Sequence, residues 1–214
     1  MPEETVGKAV QIIEMDVDLF RATQFESLIP TEDDSRWTTR WGTTTIRGVS
    51  NPDLPSKRGG QYITPTQSGV YMISFDPVDN DLKNASVLAG FIPRNTANQI
   101  GVICRASGNP LSNNASGYEL VISGGTTLTL RKRRLNSVST VATATFNYGA
   151  NDIVWLLLEA IDAVSVGGGS GVVLRGKAWL GRMSQQPIAF SVTGIDSSNP
   201  LTAAGYSGIV RVVS

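Results

Sequence analysis

From about Gly60 onward the chain repeats one device: a short apolar run, mostly alternating, closed by a cluster of turn residues. QYIT, VYMISFDPV, SVLAGFIPR, IGVICRAS and GYELVI follow one another, separated by TPTQSG, DNDLKN, NTANQ and GNPLSNNASG. Alternation at period 2 sends successive side chains to opposite faces of a pleated strand. TTLTLRKRRL with STVATATFNY reads as a hairpin, as does DIVWLLLEAI with GVVLRGKAWL across GGGSG; PIAFSVTGID and YSGIVRVV follow. DIVWLLLEAI is apolar enough to be buried on both faces. The total is about eleven to thirteen strands, and no segment reads as a helix. A chain of this kind is expected to be all-β, an antiparallel sandwich or barrel. No repeat of fixed length marks a propeller or solenoid.

Composition agrees. Charged residues are 17% and apolar ones 41%, with 22 glycines in 214 residues, which suits a turn-rich β-protein better than a helical bundle or a disordered chain. The length fits about one domain. Residues 1–9 are polar and without period, an expected N-terminal arm. In Val10–Phe20, Met15, Val17 and Leu19 alternate with Glu14, Asp16 and Asp18, so a strand with one wet face is expected. Residues 30–60 hold Pro30, Pro52, Pro55 and the Gly59-Gly60 pair, and read as a long loop or insertion with room for a short strand at WGTTTIRG. The expected organisation is therefore an arm, 1–9, and a single sandwich domain, 10–214.

Several function classes are disfavoured. Eighteen basic and eighteen acidic residues cancel, unlike the basic balance of a nucleic-acid binder. The absence of histidine removes Ser-His-Asp and Cys-His catalysis and any imidazole metal site. One cysteine, Cys104, forms no internal disulfide and no Cys-rich zinc site; beside Val102 in an apolar strand it is expected to be an inert buried thiol. The first residues show no basic-then-apolar secretory pattern, and no run approaches the ~18–20 apolar residues of a membrane helix, so neither secretion nor membrane insertion is expected.

Four clusters stand out as candidate sites. Trp37 and Trp41, flanked by Arg36 and Arg40, suit a ring-stacking platform or a protein interface, against loop packing as the plainer alternative. Arg131-Lys132-Arg133-Arg134 suits an acidic partner through Arg131 and Arg133, or else a solvated hairpin kept from aggregating. Asp76, Asp79 and Asp81 in DPVDND, and Glu32-Asp33-Asp34, have oxygen ligands suited to Ca²⁺, against ordinary turn chemistry. Trp155 and Trp179 sit in apolar strands and are expected in the core. GGGSG lacks the Lys-Ser/Thr of a phosphate loop and reads as a hairpin tip.

The order YMISFDP, IGVICRAS, SGYELVI, LTLRKRRL with STVATATF, DIVWLLLEAI, GVVLRGKAWL and the closing PIAFSVTGIDSSNPLTAAGYSGI resembles the concanavalin A-like lectin/glucanase (laminin-G-like) sandwich over roughly residues 70–214. The resemblance implies a jelly-roll sandwich with an irregular N-terminal segment. Sandwiches of this style are similar to structural proteins of tailed bacteriophages. That analogy implies a non-enzymatic virion component of tail, baseplate or head appendage, made in host cytoplasm, homo-oligomeric, and docked to other virion proteins through residues 1–60. The alternative it implies is a carbohydrate-binding module for host-surface glycan, with Ca²⁺ as the one cofactor some relatives use. Glucanases of this fold carry alternating carboxylates mid-chain; Glu14, Asp16 and Asp18 alternate too, but at the first strand and ending in Asp, so a charged strand edge is expected there and no enzyme.

Overall fold

The structure, a computed structural model, describes residues 10–14, 37–41, 44–50, 59–65, 69–75, 83–93, 95–109, 112–164 and 170–213, with backbone alone in the segments before residue 83. One sheet has the spatial order β1 (Val10–Glu14), β6 (Ala85–Phe91), β11 (Val154–Val164), β12 (Ser170–Leu180), β13 (Val192–Asp196). The other runs β10 (Ser137–Thr145), β9 (Thr127–Arg134), β8 (Ser116–Ser123), β7 (Gln99–Ser107), β14 (Tyr206–Val213), β5 (Gly69–Phe75), β2 (Trp37–Trp41). β3 (Thr44–Ser50) and β4 (Gly59–Pro65) pair with each other. Among the described residues all pairings are antiparallel except β1 with β6. Among the described residues the only helical turn is a 3₁₀ turn, Met183–Gln185.

The fold is the expected all-β sandwich of two antiparallel sheets. Its main core alternates out of the strands: Val87, Ala89 and Phe91 from β6, Val154, Leu156 and Leu158 from β11, Val172 and Leu174 from β12 meet Val102, Tyr118, Leu120, Ile122, Leu128, Leu130 and Ile209 from the facing sheet. Fully burying each large side chain contributes ~1.5–3 kcal/mol. The stretch expected as a long loop, 30–60, contains β2, β3 and the start of β4. The expected strand 10–20 is described only as far as Glu14.

The first half of β11, Val154 to Leu158, is buried on both sides, as its apolar run implies. Its second face, with Leu88 and Trp179, forms a separate cluster outside the sandwich: Leu88, Trp155, Leu157 and Trp179. Trp155 and Trp179 are register partners and stack with ring centroids 6.1 Å apart. Both indoles donate to the chain leaving β12, Trp155 to the Gly181 carbonyl and Trp179 to that of Arg182, each at 3.0 Å. The two tryptophans are thus buried, but on the outer face and not between the sheets. Gly90 makes this arrangement fit: it pairs with Trp155, and a Cβ on it would meet the indole at 2.9 Å.

Candidate functional site

Polar side chains gather in three places. The first closes one end of the core. Register aligns Asp162, Val172 and Asp196 on one sheet, facing Cys104, Tyr118 and Lys132 on the other. The Lys132 ammonium donates to Asp196 Oδ1 at 2.8 Å and to the Ser198 carbonyl at 2.6 Å. The Tyr118 hydroxyl donates to Asp196 Oδ2 at 2.7 Å and accepts the Leu201 N–H at 2.8 Å. Burial, reinforced by Asp196, raises the Tyr118 pKa above its ordinary value. Arg105 leaves β7 at a bulge, with φ +50°, and sends its Nη1 to the Leu201 carbonyl at 2.7 Å and to Asp162 at 2.8 Å. Lys83 holds the other Asp162 oxygen at 2.8 Å. Burial pushes the Asp162 pKa up, but Lys83 and Arg105 outweigh it and hold the carboxyl below its usual range. Tyr118, Lys132 and Asp196 are committed to one another and to residues 198–201, while Arg105 keeps its buried Nε and Nη2 without a hydrogen-bond partner among the described residues.

The second place is the outer face of the larger sheet. Glu119 is 0% exposed, between Arg131, which also donates to Gln99 at 2.6 Å, and Arg133, whose Nε lies 2.7 Å from it. The hairpin lies at the sheet edge as expected, but the solvation expected of its cations is corrected: Arg131, Lys132 and Arg133 are buried. β9 is the second strand in, and alternation divides the cations between two partners, Arg131 and Arg133 to Glu119 and Lys132 to Asp196. An isolated buried carboxylate costs several kcal/mol, which explains why two guanidinium groups converge on it.

The third place is open. Across the outer face of the smaller sheet, register sets Ser86, Glu159, Arg175 and Thr193 in one row. Four strands at ~4.8 Å spacing make the row about 14 Å long. Among the described residues no hydrogen bond or ion pair engages the Glu159 carboxylate or the Arg175 guanidinium. Phe190 borders the row, with the Arg175 Cζ 5.4 Å and the Lys177 Nζ 4.8 Å from its ring centre. Lys177 is itself tied to the Pro187 carbonyl at 2.8 Å. The next row is Ile161, Val173 and Ile195, of which Ile161 is 38% and Ile195 64% exposed. A carboxylate acceptor, a guanidinium donor, two hydroxyls and an aromatic flank suit a ligand carrying many hydroxyls on a compact apolar frame.

The residues singled out in the sequence fall elsewhere. Trp37 and Trp41 lie on the edge strand β2, in register with Phe75 and Met72, and Arg40 lies between them. Arg36, Asp76, Asp79, Asp81, Glu32–Asp34, Asp16 and Asp18 lie outside the described residues. Cys104 is buried, and burial pushes its thiol up to about 12 despite Arg105 nearby. Among the described residues no three acidic or cysteine side chains converge as a metal site. The open row went unnoticed in the sequence because its members are far apart. The signal in the sequence is a charge, Glu159 or Arg175, inside each of the two apolar strands of one expected hairpin.

Two facing, mainly antiparallel sheets of this kind make the chain a β-sandwich. A search of solved structures agrees: the carbohydrate binding module CBM66 from Bacillus subtilis superposes with a TM-score of 0.51 at 15% identity, over 83% of this chain and 91% of that one. At that identity the likeness speaks for the fold. No protein-family model matches the sequence, and no curated protein does.

Proposed function

We propose that this protein is a non-catalytic carbohydrate-binding module that takes a neutral glycan on the open face of its smaller sheet. The observation that carries this reading is the row Ser86–Glu159–Arg175–Thr193 beside Phe190, in which the Glu159 carboxylate and the Arg175 guanidinium have no hydrogen bond or ion pair among the described residues. Glu159 accepts and Arg175 donates, which matches sugar hydroxyls that do both, and the ring offers a surface to sugar C–H groups. With one charge of each sign the row is balanced, which favours neutral over acidic glycans. The fold shared with a carbohydrate-binding module supports the reading. The virion role and host-cytoplasm origin expected from the sequence rest on analogy with phage proteins, and neither the fold nor the comparisons add support for them.

A glycan array followed by calorimetry on the strongest hits tests the proposal. Phe190→Ala and Arg175→Ala are each expected to weaken binding at least ~10-fold, about 1.4 kcal/mol, with the melting temperature nearly unchanged. Binding that survives both changes, or no glycan bound by the unaltered protein, overturns it.

A further inference from the structure

We infer that the bulge around Arg105 is a buried anion site, built to hold one chloride ion between the sheets. β7 is irregular here against both of its neighbours. Cys104 and Arg105 together stand opposite the single residue Ser207 on β14, and Arg105 and Ala106 stand opposite Gly117 on β8. Arg105 has φ +50°, a strained conformation for a residue with a side chain, and strain of this kind gathers at ligand sites. The guanidinium turns in between the sheets, where Nη1 meets Leu201 and Asp162. Ser207 alternates with Ile209, a residue of the main core, so its hydroxyl faces the same interior. Three buried polar atoms at this bulge have no partner among the described residues: Arg105 Nε, Arg105 Nη2 and Ser207 Oγ. The Arg105 side chain is 0% exposed and Ser207 1%, so bulk water does not serve them.

The chemistry selects the ligand. Nε–H and Nη2–H form the side-on edge of the guanidinium, two parallel donors, and the serine hydroxyl adds a third. Charge has the same sense. Arg105 and Lys83 share one carboxylate, Asp162, while Lys132 is matched by Asp196. These five described side chains therefore carry one positive charge in excess. A surplus charge out of water calls for a counter-ion. In a closed interior that ion must be compact and accept from every direction, which describes a halide. A water molecule would bring no charge, and its own two hydrogens would need acceptors among donors. This inference stands independently of glycan binding.

Thermal melts of the intact chain test it, with sodium gluconate exchanged stepwise for sodium chloride at constant ionic strength. The melting temperature is expected to rise by ~2–4 °C as chloride goes from about 5 mM to about 500 mM, because an ion that binds only the native state stabilises it by mass action. Ser207→Ala removes one donor and leaves the guanidinium in place. The chloride concentration it needs for the same rise is expected to increase at least ~10-fold. Crystals grown in sodium bromide are expected to show an anomalous peak within hydrogen-bonding reach of Arg105 Nε and Nη2. Melts indifferent to chloride overturn the inference. So does a Ser207→Ala chain that responds like the parent, or a bromide-grown crystal with a water molecule at the bulge.

Discussion

Single positions in this molecule are constrained by what lies directly across the sheet. Gly90→Ala would drive a methyl against the Trp155 ring, whose nitrogen is already tied to Gly181. A loss of ~1–3 kcal/mol is expected, read as a lower urea midpoint with unchanged slope. Cys104 sets an alkaline limit. Its folded pKa, about 12, lies above that of the unfolded thiol, so its contribution is complete below pH ~8.5 and declines as pH rises toward the folded value. Urea midpoints are expected to fall above that pH, and Cys104→Ala to flatten the first part of the decline while leaving the later part, which belongs to Tyr118 and Tyr148. An identical pH profile in the variant removes Cys104 as the cause.

At the scale of elements, a polar end layer organises the connection between β13 and β14. Leu201 is bonded on both sides, its N–H to the Tyr118 hydroxyl and its carbonyl to Arg105. Ser198 and Asn199 are tied down by Lys132 and Arg134. Tyr118→Phe leaves the Leu201 N–H without its acceptor, so hydrogen exchange at Leu201 is expected to accelerate at least ~10-fold while amides in the centre of β8 keep their protection. Equal acceleration throughout β8 would instead show global loosening. The strands themselves were legible because burial writes period 2 into each one: β6 to β12 match the apolar runs nearly residue for residue. PIAFSV predicts the start of a strand, yet β13 begins only at Val192, and Phe190 before it lies over the outer face, against Arg175 and Lys177. Alternation records that a side chain is covered, not what covers it. The same limit hid the burial of Arg131 and Arg133, since a cation run reads as solvated until the partner carboxylate, fourteen residues from Arg133, is brought beside it. The open row was hidden for a related reason: its members come from four strands and share only register.

For the whole molecule, the two faces of the sandwich are unequal. The outer side of the larger sheet buries Ile103, Val121, Val210 and Glu119, while that of the smaller sheet leaves Thr193 and Ile195 exposed.

The position of β14 carries a consequence for synthesis. This last strand lies between β7 and β5, with ladders to both, and those two strands do not pair with each other. About a hundred residues separate the end of β7 from the start of β14. At ~5–20 residues per second, the ribosome needs roughly 5–20 s to make that stretch. Throughout that interval the nascent larger sheet has a gap in its middle, with two unsatisfied strand edges turned toward it, so the chain waits for its final strand before it can close.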